Sequence, residues 1–297
     1  MWRSLGRVCA LGAAWVLSAG PALALPMSAV TIDFETEDDF VTPLVHGQSV
    51  YSTARPDRPS GPAVAYSQDD VLEFGNLFNI SSTVIGGGAG HLGPAIFNSN
   101  LGPAQTQDDD LLVDLGNMLL LHRTEGPNHS FNGANGLVFN NPNDEADPED
   151  RGSIVFDFLV PLVRPTSVDL ADIDDNVEIV VVLTDNLGRT RTYLVPEKWT
   201  TDINLNPASM GYRTLDLQTL LAQAADPLAG GLPAVAVQEV GYNGNHVVQM
   251  EFQFVGSSPS GAIDNLVFEM IPEPAAGTLA MTALGCVLAR RRQWQKA

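Results

Sequence analysis

The 297-residue chain has only two cysteines, Cys9 and Cys286, and none in the long stretch between them. Residues 25–271 therefore hold no disulfide and no thiol chemistry, and their stability must come from a core or from bound metal. Basic residues are scarce: Lys and Arg total 15 against 35 Asp and Glu, for a net charge of −20. Between residues 25 and 271 the balance is 9 basic against 34 acidic, or −25. Such a surface repels nucleic acid and anionic lipid, and nucleic-acid binding is excluded. Aromatic residues are 7% of the chain, and of its four tryptophans only Trp199 lies within 25–271. That scarcity counts against aromatic sugar platforms.

Catalytic signatures are absent too. There is no HExxH pair and no G-x-S-x-G elbow, and His46, His91, His122, His129 and His246 are scattered, whereas a catalytic zinc needs clustered ligands. Gly88-Ala89-Gly90-His91-Leu92-Gly93 matches a dinucleotide fingerprint. Pro94 follows at once, so no helix opens there to receive a pyrophosphate, and the run reads as a loop. No repeat of 20 to 50 residues occurs.

What is present is clearest at the two ends. Arg3 and Arg7 precede an apolar run, Val8 to Ser18, and Ala22-Leu23-Ala24 gives an A-x-A cleavage pattern. Residues 1–24 read as a signal peptide, with a mature start at Leu25. At the other end, Pro272-Glu273-Pro274 is followed by an apolar tract, Ala275 to Ala289, and then Arg290-Arg291-Arg292. As a helix that tract spans roughly 22 Å, short of the ~30 Å of a bilayer core, and makes a weak anchor. The arginines place its far side in the cytoplasm.

This order of proline-rich acidic tripeptide, apolar tract and basic stop resembles the PEP-CTERM sorting signal of exopolysaccharide-producing Gram-negative bacteria. The resemblance implies transient insertion in the inner membrane through residues 272–297. Signal peptidase and an exosortase would be the processing partners, with delivery to the cell surface or extracellular matrix.

Residues 25–271 read as one domain of many short strands. Ser153 to Val160 alternates, with Ile154, Phe156 and Phe158 on one face. Ser167–Ile173, Val177–Thr184, Arg189–Val195, Ala234–Val240, Val247–Val255 and Ala262–Met270 are further strands, and Asp185-Asn186-Leu187-Gly188 is a hairpin turn. Thr31–Glu35, Val71–Phe74 and Gly136–Phe139 are short strand candidates. Gly116-Asn117 suggests a turn or bulge within Leu111–Leu121, and Leu215–Ala225 is the one helix candidate. Short strands without βαβ units predict an antiparallel β-sandwich of jelly-roll type. Ile32–Glu35, Gly152–Phe158 and Ser260–Phe268 are similar to segments of the lectin-like sandwich ectodomains of that family.

The abundant acids suit a hard, oxygen-bound cation, and no cofactor is certain from the sequence, calcium being the most credible candidate. Asp108-Asp109-Asp110 and the loop holding Asn141, Asn143, Asp144, Glu145, Asp147, Glu149 and Asp150 are candidate clusters, without EF-hand spacing. By resemblance, a calcium clamped between first and last strands nominates Glu35 with Asp264. Asp157, Asp169, Glu178, Glu239 and Glu251 lie in strand candidates and leave a glycosidase pair open. The leading expectation is a non-enzymatic, exported protein associated with exopolysaccharide. The alternatives are a carbohydrate-binding module with structural calcium and a secreted glycoside hydrolase.

Overall fold

Residues 153–158, whose alternation is the clearest in the sequence, fall in β7 (Arg151–Phe158), which lies inside the first of two layers. The structure, a computed structural model, describes residues 28–48, 50, 75–85, 91–102, 111–123, 131–132, 138–139, 142, 151–173, 177–200, 211–224, 234–256 and 260–271. Outside these lie the expected cleavage site at Ala22 and Ala24 and the Val71–Phe74 strand. So do Gly86–Gly90, Asp108–Asp110, nearly all of the 140–150 loop, and the sorting segment with Pro272, Glu273, Pro274, Arg290, Arg291, Arg292 and its hydrophobic helix.

The front layer runs β12 (Gln223–Ala224), β13 (Ala234–Glu239), β10 (Thr190–Val195), β9 (Val177–Asp185), β14 (Val247–Gly256), β7, β2 (Phe78–Ile85). The back layer runs β11 (Tyr212–Asp216), β8 (Val163–Ala171) and β15 (Ala262–Met270). The far edge of β15 is shared by β1 (Ser28–Ile32) and β4 (Asn117–Arg123), and β4 carries β3 (His91–Asn98). A separate ribbon pairs β5 (Phe131–Asn132) with β6 (Val138–Phe139). All of these pairings are antiparallel, and among the described residues a single pair, Val247 with Val163, links the two layers by strand pairing. The chain steps between layers from β7 to β8 to β9 and from β10 to β11, which makes the domain the expected antiparallel β-sandwich with jelly-roll crossovers.

The inward faces meet through phenylalanines. Phe78 stands edge-on to Phe156, Phe158 and Phe268, with ring centroids 5.3, 6.1 and 6.4 Å away. Phe158 and Phe268 are 5.2 Å apart across the layers. Edge-to-face packing of this kind adds to the burial of large apolar area. Val181, Tyr193, Phe252 and Leu266 extend the same core. Trp199, the one tryptophan of the domain, is 2% exposed and belongs to this core.

Three local expectations need correction. The first strand ends at Ile32, so Thr31–Glu35 is strand only in its first two residues and Glu35 lies beyond it, after a left-handed Phe34. The helix over Leu215–Ala225 does not form: β11 ends at Asp216, whose Oδ1 accepts from the N–H groups of Gln218 and Thr219, and β12 follows. Leu215 and Leu217 are both buried while Leu220 and Leu221 are 56% and 76% exposed, a strand-and-turn burial pattern that a helix would not give. Around Gly116-Asn117, only the second half is a strand, β4. Leu111–Leu115 is irregular and packs with Ala95, Phe97, Met118, Leu120, Ala171 and Ala262 on the outer face of the back layer.

Asp38 ties the start of β2 to the loop after β1. It is 3% exposed and accepts hydrogen bonds from the backbone N–H groups of Gly75, Asn76 and Leu77 at 3.2, 2.9 and 2.7 Å. Asp38→Ala is expected to cost about 2 kcal/mol, seen as a lower urea midpoint with an unchanged m-value. A midpoint within error of wild type would mean that Asp38 does not hold β2.

Candidate functional site

The back layer forks at β15. One edge of β15 pairs with β1 as far as Ile32 opposite Leu266, and with β4 from Leu119 opposite Ile263. Asp264 and Asn265 lie between these pairings, where β1 departs and β4 arrives. On the other edge the register with β8 shifts between Asp264 and Val267, and Asn265 takes a left-handed φ of 45°. Alternation after Ala262 puts Asp264 on the outer face, next to Asp169 of β8, and the bulge at Asn265 returns Leu266 to the core.

Asn265 Nδ2 donates to Asp264 Oδ2 at 3.0 Å and to Asp169 Oδ2 at 2.9 Å, and Thr214 Oγ1 donates to Asp169 Oδ1. Asp264 is 1% exposed, and its Oδ1 is buried with no hydrogen-bond partner. Burial pushes its carboxyl up to about 8; the Asn265 backbone N–H opposes this, and the charges of Asp169, Asp33 and Glu35 add to it.

Glu35 reaches the fork from the other side. Its Oε1 accepts from the Asn117 N–H at 2.8 Å. A Cβ on Gly116, at φ +90°, would stand 2.2 Å from that oxygen, so only glycine leaves room for the carboxylate. Asn117 Nδ2 donates to the Phe34 and Leu44 carbonyls at 3.2 and 3.3 Å, and Asn117 Oδ1 is a second buried oxygen without a partner. The structure thus brings Glu35 and Asp264 within electrostatic reach of each other, one exposed and one buried.

These residues fit a hard cation in their chemistry. Two carboxylates are calcium-type donors, and Asp264 Oδ1 is a buried oxygen without a partner. Among the described residues no group of three or more His, Cys, Asp and Glu is placed to hold a metal, so neutral oxygens or solvent must complete any shell. His46 is occupied elsewhere: its Nδ1 accepts from the Asn98 N–H, its ring packs on Phe97, and burial pulls its pKa down to about 4.

Of the five strand acids, only Asp157 and Glu251 are same-face neighbours, and the other three lie apart. Asp157 accepts from Gln249 Nε2, Asp169 belongs to the fork, and Glu239 is ion-paired with Arg191. Glu178 is exposed on β9, and Glu251 stands on the outer face of β14, diagonal to Asp157. Asn117, Gly116, Asp169 and Asn265 were not singled out from sequence for the Glu35–Asp264 pair. Only the Asp264-Asn265 dipeptide inside an apolar strand hinted at them.

No protein-family model and no curated protein matches the chain. Among solved structures, it is similar to a family 11 carbohydrate-binding module from Clostridium thermocellum in complex with a β-1,3-1,4-mixed-linked tetrasaccharide. The identity is 9%, over 65% of this chain and 84% of that one, with a TM-score of 0.26. The family 11 module of the cellulosomal cellulase Lic26A-Cel5E of that organism matches at 8% identity, over 67% and 85%, with a TM-score of 0.25. Likeness this loose transfers neither a site nor a ligand.

Proposed function

We propose that the chain is a non-enzymatic, exported β-sandwich that associates with exopolysaccharide at the cell surface or in the extracellular matrix, with a calcium ion bound at the β15 fork. The observation that carries the cation is the buried, partnerless Asp264 Oδ1, whose carboxyl feels the charge of Glu35. Glu35 and Asp264 would hold the ion, with neutral oxygens or solvent completing the shell, and the bound ion would supply positive charge that keeps Asp264 ionised. Asn265 orients Asp264 and Asp169, and Gly116 leaves room for Glu35. The destination is read from the ends: a signal peptide to Ala24, and Pro272-Glu273-Pro274, apolar tract and Arg290–Arg292 for an exosortase.

Both halves are testable on protein recovered from the producing cells. Electrophoresis through gels containing purified exopolysaccharide should retard the protein, and EDTA should reduce the retardation. Mobility unaffected by polysaccharide removes the association. Intact mass should place the C-terminus near Pro272-Glu273-Pro274, whereas a mass that retains Ala297 removes the processing step.

A further inference from the structure

The chain contains three Asn-Gly dipeptides, and Asn243-Gly244 lies wholly within the described residues, in the turn between β13 and β14. Asn243 is the hub of that turn. Its N–H donates to Asp185 Oδ2 at 3.0 Å, its carbonyl accepts from His246 N–H at 3.1 Å, and its Oδ1 accepts from Asn245 N–H at 3.2 Å. The His246 carbonyl accepts in turn from Asn186 N–H at 3.0 Å, so this turn and the Asp185–Gly188 turn hold each other.

Nothing in that geometry asks for glycine at 244. Its φ lies outside the left-handed region, and a Cβ there would stand 3.4 Å from Tyr242 Cε1, an ordinary contact. Among the described residues its N–H has no hydrogen-bond partner, and neither has Asn243 Nδ2. What glycine leaves open is the approach to its own nitrogen, which no Cβ hinders. The bond from Asn245 N–H draws the Asn243 carboxamide toward the following residues, on the side of that nitrogen.

We propose that Asn243-Gly244 is a self-modification site, at which Asn243 closes to a succinimide with loss of ammonia and ends as aspartate or isoaspartate. Once solvent base has taken its proton, Gly244 N bonds to Asn243 Cγ. The negative charge that develops on Oδ1 is met by Asn245 N–H, which already donates there. The Cγ–Nδ2 bond breaks as Nδ2 takes up a proton and leaves as ammonia. Water then opens the five-membered ring at Cγ, giving aspartate, or at the backbone carbonyl carbon of residue 243, giving isoaspartate with the chain rerouted through Cβ and Cγ. The sum exchanges water for ammonia, with no change in oxidation state and no other reactant.

The place of the site gives the change a structural consequence. Asp185 is 1% exposed, and its carboxylate already accepts from Leu187, Arg189 and Asn243. A carboxylate at position 243 sets a second negative charge beside it, and isoaspartate moves the carbonyl that receives His246 N–H off the main chain. The β13–β14 turn then loosens from the β9–β10 turn.

The test incubates folded wild-type protein in mildly alkaline buffer, beside Gly244→Ala and Asn243→Gln, and follows the Val240–Glu251 peptide by mass spectrometry after cleavage at glutamate. The wild-type peptide should gain one mass unit, split between aspartate and isoaspartate. Gly244→Ala should melt as wild type does and convert about tenfold more slowly or less, because its Cβ hinders the attacking nitrogen. Asn243→Gln should not convert. Hydrogen exchange at the residue 243 and Asn186 N–H groups should speed up in the modified fraction. No gain in that peptide, a gain confined to Asn132-Gly133 or Asn135-Gly136, or equal rates for wild type and Gly244→Ala overturns the site, and unchanged exchange overturns the loosening.

Discussion

Asp264→Asn is expected to abolish two responses of the domain together: its stabilisation by calcium and its loss of stability toward alkaline pH without calcium. The folded carboxyl is held near 8, above its ordinary 3.8, so the metal-free native state favours the protonated form. That contribution is present in full below about pH 4 and is lost as pH rises through 8. His46 acts in the opposite sense: its folded value near 4 lies below the ordinary 6.5, so its contribution is present above 6.5 and is lost as pH falls through 4. The window between pH 6.5 and 8 therefore isolates Asp264 from His46.

At no more than ~1.4 kcal/mol per pH unit, the metal-free protein should lose about 2 kcal/mol across that window. In EDTA this appears as a melting temperature lower by about 4–8 °C at pH 8 than at pH 6.5. Calcium a thousandfold above its Kd should add about 4 kcal/mol and flatten or reverse the slope, because the ion binds the ionised carboxylate. Asp264→Asn should melt at the same temperature at both pH values and ignore calcium. Wild type that ignores calcium while the variant loses the pH slope would make Asp264 a buried acid and nothing more.

Phe78→Ala is expected to have the second large effect, a loss of about 4 kcal/mol. Its ring is fully buried and contacts rings of both layers, so truncation leaves a cavity where the sandwich closes. Thermal melting should shift down by about 8–16 °C, while Phe78→Leu, which refills most of the space, should cost about a third as much. A loss below about 1 kcal/mol for the alanine would mean that the layers do not meet through this ring.

The strands that the sequence displayed well are those whose large apolar residues recur at every second position. Ile154, Phe156 and Phe158 alternate with Val155, Asp157 and Leu159, and the structure buries the first set in the core. The Asp185–Gly188 turn was legible because its chemistry is local: Asp185 accepts from Leu187 and Arg189, and Gly188 has a φ of 73°. Leu215–Ala225 misled because Leu215, Leu217, Leu220 and Leu221 fit either period, and Asp216 capping the turn decided against a helix. The fork was half legible. Glu35 and Asp264 were nominated as a pair, but Asn117 could not be, since its role depends on β4 meeting β15 where β1 leaves.

The central place of β15 in the back layer also sets the order in which the chain can finish folding. β15 pairs with β8, β1 and β4, and β1 has no other strand partner among the described residues. Synthesis runs from the N-terminus, so β1 waits, its edge open, through more than two hundred residues until residues 262–270 appear. Closing the back layer is thus a late, long-range event that carries the full entropy of a chain-length loop. A fragment stopped before Ala262 leaves the edges of β1, β4 and β8 bare and prone to aggregate. β15, the last strand among the described residues, is therefore the checkpoint for the domain, and truncation upstream of it should yield insoluble protein rather than a smaller sandwich.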